Sequence, residues 1–204
     1  GVKAQDLNCT GTVGAVTADT VNVPAGASCI LLGTQIRGDI KVFQGARLDA
    51  RRVQVNGSVQ ADLADRVILR SGSSVSGSVQ IKNSNVATIS RSTILGDVQL
   101  EVNLGALTVS FSRITGQLSA SKNTGTVNFL SNVNVGVDIL AEENTAKVTV
   151  ANNRSSGNIQ LSKNTAGVSV IDNFANGNLQ CVENRPFQTQ SGNTVGGNLE
   201  CAPF

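Results

Sequence analysis

The chain repeats itself about every twenty residues, and that period constrains its fold more than any other feature. Gly157-Asn158-Ile159-Gln160-Leu161 returns as Gly177-Asn178-Leu179-Gln180-Cys181 and again as Gly197-Asn198-Leu199-Glu200-Cys201. Towards the N-terminus the same glycine is read at Gly136, Gly116, Gly96, Gly77, Gly57 and Gly38. A fixed period of this kind marks an architecture in which each unit buries its apolar side against its neighbours. Within a unit, apolar and polar residues alternate over short runs, as in Ile159-Gln160-Leu161 and Val168-Ser169-Val170. That is the pattern of a strand with one buried face, and no helical periodicity competes with it. A third, weaker run precedes each glycine, at Ile114, Ala175 and Val195. Three short runs separated by Asn, Gly and Ser corners close one coil. The expected fold is therefore all-β, a single parallel β-solenoid of about ten coils with three short strands per coil. Stacked at about 4.8 Å, nine full coils would make a rod on the order of 45 Å long.

In-register stacking sorts like residues into columns. Asn83, Asn103, Asn123, Asn144, Asn164 and Asn184 are read as one ladder, at a corner where Asn can enter the left-handed region and pass amide hydrogen bonds between coils. Asn132, Asn153, Asn173 and Asn193 continue Ser92 and Ser112 as a second ladder, and Gln60, Gln80, Gln99, Gln160 and Gln180 form an outward row. Lys122, Glu143, Lys163 and Glu183 alternate in sign down one column, a pattern that favours correct register.

With no Pro- or Ser-rich linker, residues 1–204 read as one domain: 1–17 an N-terminal tail and partial first coil, 18–196 nine full coils, 197–204 a partial last coil. Val16 is placed one period before Ile36, and Cys29 in the inward column of Leu48. The 4 cysteines fall into two pairs at the same twenty-residue spacing, Cys9 with Cys29 and Cys181 with Cys201. Adjacent positions in a column lie about 4.8 Å apart, within the range a disulfide accepts, so one staple is expected at each end. Disulfides point to an oxidising, extracellular compartment. The chain starts at Gly1 without Met, which is read as a processed or trimmed form, signal-peptide removal being one origin. No apolar run reaches the roughly 18 residues of a membrane span.

The glycine-phased unit and the endings GNLQC and GNTVGGNLEC resemble secreted bacterial right-handed parallel β-helix proteins of unestablished activity, over residues 18–201. In coil length the chain is also similar to bactofilins, which polymerise end to end, although those are cytoplasmic and lack this cysteine pattern. The resemblance implies right-handed coiling, in line with the general crossover preference.

Composition then removes reaction classes. There is no His, Tyr or Trp, so Ser-His-Asp and Cys-His mechanisms and imidazole metal sites are excluded. Asp97, Glu101, Asp138 and Glu142 are the best acidic candidates for a polysaccharide-degrading site, but they are spread over several coils. No Asp-rich loop suggests calcium, and no metal or cofactor is expected. An ice-binding face would need two matched outward rows. Thr108, Asn128, Thr149 and Ser169 make one, but the neighbouring Ser110, Leu130, Ala151 and Ile171 are irregular. Net charge is +2, and the one local bias is basic: Arg47, Arg51, Arg52, Arg66 and Arg70, with Asp49, Asp62 and Asp65 among them. These arginines could dock an anionic polysaccharide, whereas the lack of nearby stacking aromatics argues against nucleic acid.

The expected function is a non-enzymatic extracellular rod that polymerises head to tail or serves as a surface or matrix adhesion element. The polymer argument is one of register. Residues 7–18 are taken to begin in phase with the second strand and residues 197–204 to end after the first, so that the two fragments complete one coil.

Overall fold

A computed structural model describes residues 3–201. The described strands form three parallel sheets of 11, 10 and 10 strands, each coil contributing one strand to each sheet. This is an all-β parallel solenoid of about nine coils. The three sheets enclose a single core whose columns follow directly from the alternation. Val59, Val79, Val98, Leu118, Ile139, Ile159 and Leu179 stack in register in the first sheet. In the second sheet Val67, Ala87, Leu107, Val127, Val148 and Val168 do the same. These residues are all at most 2% exposed, and so are Leu161 and Val170.

The glycine column has a steric cause. Gly116 N–H donates to Gly96 O at 3.0 Å. A Cβ on Gly116 would stand 2.6 Å from that carbonyl oxygen and would also strike the Asp97 carboxylate. One coil breaks the column: Val137, not Gly136, pairs there, its N–H donating to Gly116 O and its carbonyl accepting from Gly157. The reason is one extra residue. Val133 bulges outward, 63% exposed, between Asn132 and Asn134, and shifts all that follows it by one.

Corners are closed in two ways. In the early coils a local turn does it, with Ala27 N–H bonded to Pro24 O and Ala46 N–H to Phe43 O. The third residue of each turn is a glycine at positive φ, Gly26 (73°) and Gly45 (68°), as a type II turn requires. In later coils one exposed residue enters the left-handed region and the next turns inward. Val102, Lys122, Glu143, Lys163 and Glu183 adopt φ of 53–56° ahead of Asn103, Asn123, Asn144, Asn164 and Asn184. At the next corner Phe111, Ser131, Asn152 and Asp172 do so ahead of Ser112, Asn132, Asn153 and Asn173. The left-handed residue is thus the one before the ladder Asn rather than the Asn itself.

Asn83 is corrected by the same logic. The coil separating Ile81 from Leu100 has nineteen residues, so Ser84 stands in line with Asn103 and its N–H donates to Asn103 Oδ1 at 2.9 Å. Asn83 occupies the exposed left-handed position, φ 48°, and its Nδ2 donates to Asp62 at 2.9 Å.

The first coil also departs from expectation. Leu7–Asn8 pairs with Val21–Asn22 in the first sheet, Thr12–Val13 lies in the second, and Thr17–Ala18 in the third. The coil is short but carries all three strands. Ala18, not Val16, stands beneath Ile36, and Val16 is 53% exposed. Leu7 starts in phase with the first strand rather than the second, and Leu199–Glu200 is again a first-sheet strand, so the phase expected for residues 7–18 is not the one they adopt; residues 202–204 lie outside the described residues.

Two disulfides tie the outer coils: Cys9–Cys29, with Cα atoms 5.4 Å apart, and Cys181–Cys201, at 4.7 Å. Cys29 pairs with Leu48, as its column requires. The disulfides point to a non-cytoplasmic environment. No helix is long and apolar enough to cross a membrane among the described residues.

Candidate functional site

The two Asn ladders are the most ordered polar feature. Asn144 Oδ1 accepts from Asn123 N–H at 3.0 Å and from Asn123 Nδ2 at 2.9 Å. Its own Nδ2 donates to Ala120 O at 3.1 Å and to Asn164 Oδ1 at 3.0 Å. A primary amide offers two donors and two lone pairs, and all are used. The same pattern runs from Asn103 to Asn184. It recurs from Asn132 through Asn153 and Asn173 to Asn193, with Ser92 and Ser112 below. No buried side-chain N or O atom among the described residues lacks a partner. These amides are committed to the fold and are unavailable to a ligand.

Three of the four acidic candidates are committed as well. Asp97 Oδ1 accepts from Gln117 N–H at 2.8 Å, and Asp138 Oδ1 from Asn158 N–H at 2.7 Å. Glu101 pairs with Lys82 at 3.4 Å. Glu142 lies on the outer side of the first sheet. Among the described residues no three His, Cys, Asp or Glu side chains converge to hold a metal. Lys122, Glu143, Lys163 and Glu183 are exposed at left-handed corners and form no ion pair within 4.0 Å among the described residues.

The arginines stack as their spacing implies, Arg47 on Arg66 and Arg51 on Arg70. Their charge is largely taken up within the sheet. Asp49 sits between Arg51 and Arg70 and accepts from both at 2.7 Å. Burial pushes the Asp49 carboxyl up, but hydrogen bonds from Arg51 and Arg70 and their positive charges outweigh it, so its pKa lies below the usual 3.8. Asp65 accepts from Arg47 at 2.5 Å, and this bond, with a weaker one from Asn85, lowers its pKa too. Arg52, at a left-handed corner, and Arg66 are the members without an ion pair among the described residues.

Two features were not assembled from the sequence. Arg91 stacks over Phe111 at 5.5 Å, and Arg154 over Phe174 at 4.4 Å. Both pairs are twenty residues apart, so the period itself carried the signal. The second is a groove of about 520 Å³ on the outer side of the first sheet, beside its corner with the second. Lys41, Gln60 and Gln80 occupy adjacent strands along it. Phe43, 46% exposed, and Leu63, 50% exposed, supply its apolar surface, with Asp62 next to Leu63 in the chain. Leu63 also borders a second hollow of about 340 Å³ that reaches Leu104.

The two outward rows weighed for ice binding are in register and extend to Thr88 and Ser90 at one end and Thr189 and Ser191 at the other. Leu130 and Ile171 interrupt the second row. Compared with protein-family models, with curated proteins and with solved structures, the chain matches none.

Proposed function

We propose that the chain is a non-enzymatic structural rod acting outside the cytoplasm, at a cell surface or in a matrix, as a stiff spacer or adhesion element. The observation that supports this best is the closure of its polar chemistry on itself. Ladder amides bond ladder amides, corner carboxylates cap backbone N–H groups, and the arginine face is paired with Asp49 and Asp65. Such a molecule gains rigidity from its polar groups rather than reactivity. The stapled outer coils suit an oxidising, exposed setting. The resemblance of its repeat to secreted β-helix proteins supports the same location. Incubation with a panel of polysaccharides, followed by assay for new reducing or unsaturated ends, tests the reading. Product formation abolished by Asp97→Asn or Asp138→Asn would overturn it.

Self-association is a second reading, and the observation favouring it is the in-register parallel stack, with Phe187 and Leu199 exposed on its last described coil. The edge strands of such a stack recruit further strands. Sedimentation over a concentration series should show end-to-end species, and a strictly monomeric protein at high concentration overturns it. The arginine face as an anionic-polysaccharide module is the alternative it competes with. Salt-sensitive retention on such a polymer, lost when Arg47, Arg51, Arg52, Arg66 and Arg70 become Ser, would favour that alternative.

A further inference from the structure

We propose that the groove beside Phe43 is a binding subsite for a neutral polysaccharide. A pyranose ring presents an apolar face of C–H groups and a rim of hydroxyls, so its complement is an exposed ring or aliphatic surface bordered by fixed acceptors and donors. The groove has that composition. Phe43 and Leu63 are each about half exposed, although a chain of this kind has a complete core in which to bury them. Asp62, next to Leu63 in the chain and one position past the Ala61–Val42 pair, lines the same groove with Oδ1 held by Asn83 Nδ2 at 2.9 Å, which orients the carboxylate and leaves Oδ2 for sugar hydroxyls. On the same strand Gln60 offers an amide, and on the neighbouring strand Lys41 offers an ammonium group that forms no ion pair among the described residues.

The charge balance selects a neutral sugar over an acidic one. Lys82, the other cation here, is paired with Glu101 at 3.4 Å. The Asp62 carboxylate would repel a uronate or sulfate placed over Phe43. Size selects a chain over a single residue. The groove of about 520 Å³ meets the second hollow of about 340 Å³ across Leu63, so a bound oligosaccharide can continue past the first ring. The corner that creates this surface is the glycine turn of the early coils, which carries the chain from Phe43 to Ala46 before the second sheet begins. Later coils, closed by the Asn ladder, have Glu101, Ser121, Glu142 and Ser162 in the strand position that Asp62 holds here, and none brings a Phe beside it. The subsite is additional to the rod reading and does not depend on it.

With 6 phenylalanines and no Trp or Tyr in the chain, fluorine-labelled phenylalanine gives a spectrum simple enough to assign. Neutral gluco-, xylo-, manno- and N-acetylglucosamine oligosaccharides should shift the Phe43 signal saturably and leave the buried Phe129 unmoved. Phe43→Ala and Asp62→Asn should each weaken binding roughly tenfold or more, read on a backbone amide of Gln60. Arg51→Ser with Arg70→Ser should leave it unchanged. The proposal is overturned if no neutral oligosaccharide shifts Phe43, if Phe43→Ala binds as well as the native chain, or if uronate oligosaccharides bind more tightly at this site than neutral ones.

Discussion

The early coils and the later coils build the same corner from different chemistry. Between Val21 and Leu48 the chain turns from the first to the second sheet through a local i to i+3 hydrogen bond, with Gly26 or Gly45 supplying the positive φ. From Asn103 onward the turn is supported by neighbouring coils, and residues as unsuited as Val102 accept a left-handed backbone at roughly 1–2 kcal/mol each. The intervening coils show the change in progress: Ala64 N–H is met by Ser84 Oγ at 3.0 Å, and Ser84 N–H by Asn103 Oδ1 at 2.9 Å. Where Ser has one hydroxyl donor, Asn has two amide donors, and they reach both the preceding strand and the next amide. A local turn is tied to the next coil only by backbone bonds, Gly26 N–H to Gln44 O and Gly45 N–H to Leu63 O, and leaves its side chains free to vary, which is where the Phe43 groove lies. A ladder ties each coil to two others and makes the later rod more cooperative.

The widest separation between the two regions is expected from removing one rung. Asn144→Ala deletes four hydrogen bonds and leaves Asn123 N–H, Asn123 Nδ2 and Ala120 O buried without that partner. Each orphaned group costs about 1–3 kcal/mol, so a loss of roughly 3–5 kcal/mol is expected by chemical denaturation. Ser84→Ala removes two bonds, to Ala64 N–H and Lys82 O, and should cost about 1–2 kcal/mol. Equal losses would mean that the ladder adds nothing beyond its individual bonds.

Glycine substitutions sharpen the contrast at a smaller scale. Gly116→Ala places a methyl 2.6 Å from Gly96 O and must push two coils apart, a backbone conflict worth several kcal/mol on the scale of overpacked cores. Gly45→Ala meets nothing nearer than 3.8 Å and incurs only the left-handed strain at φ 68°, about 1 kcal/mol. Thermal unfolding of the two variants measures the difference, and a Gly45→Ala loss as large as that of Gly116→Ala would show that the local turn is as crowded as the stack.

Next in size are the disulfides. Each closes a loop of sequence separation 20, which the chain-entropy account values at about 3 kcal/mol. Cys9→Ser with Cys29→Ser should loosen a coil that has no ladder beneath it. Cys181→Ser with Cys201→Ser acts on coils that Asn184 and Asn193 still hold. Hydrogen exchange should therefore spread further inward from the N-terminal lesion.

Much of this architecture could be read from the sequence because two periods were superimposed on it. Alternation within a run identified Leu161 and Val170 as inward, and the twenty-residue step paired the cysteines and placed Arg51 under Arg70. What counting missed were single-residue slips. A nineteen-residue coil moved Asn83 off its column in favour of Ser84, and the Val133 bulge moved Gly136 off its column in favour of Val137. A slip of one residue is invisible to a period but reverses the face of every side chain it touches. The short first coil defeated the register argument by a larger gap, since Leu7 pairs with Val21 where later coils step nineteen to twenty-one residues. The left-handed positions left no trace because their side chains are exposed and unconstrained: Val102, Lys122 and Glu143 share a backbone and nothing else. The Phe43 groove was missed because it needs two neighbouring coils to be seen at once.

The smallest effect expected is on pH dependence, and it belongs to the early coils. Asp49 has a folded pKa below its ordinary 3.8, so its pairing with Arg51 and Arg70 contributes fully above that value and is lost as pH falls through the folded value beneath it. Asp65, held by Arg47, changes in the same direction. The ladder amides do not titrate. The arginine side chains in the Asp49 cluster are 41% and 39% exposed, so solvent screening keeps the contribution to about 1 kcal/mol or less. Asp49→Asn should therefore lower stability slightly at pH 6, and the gap from the native chain should close as pH drops below about 3.8. Because the substitution leaves Arg51 and Arg70 stacked without an anion between them, the loss at pH 6 should also grow when salt is removed. Exchange of the second-sheet amides from Arg47 to Arg70 reports it, with the Leu107–Ser110 and Val148–Ala151 strands as internal reference. A gap that persists unchanged to pH 2, or one that appears equally in the reference strands, would show that Asp49 acts through packing rather than through its charge.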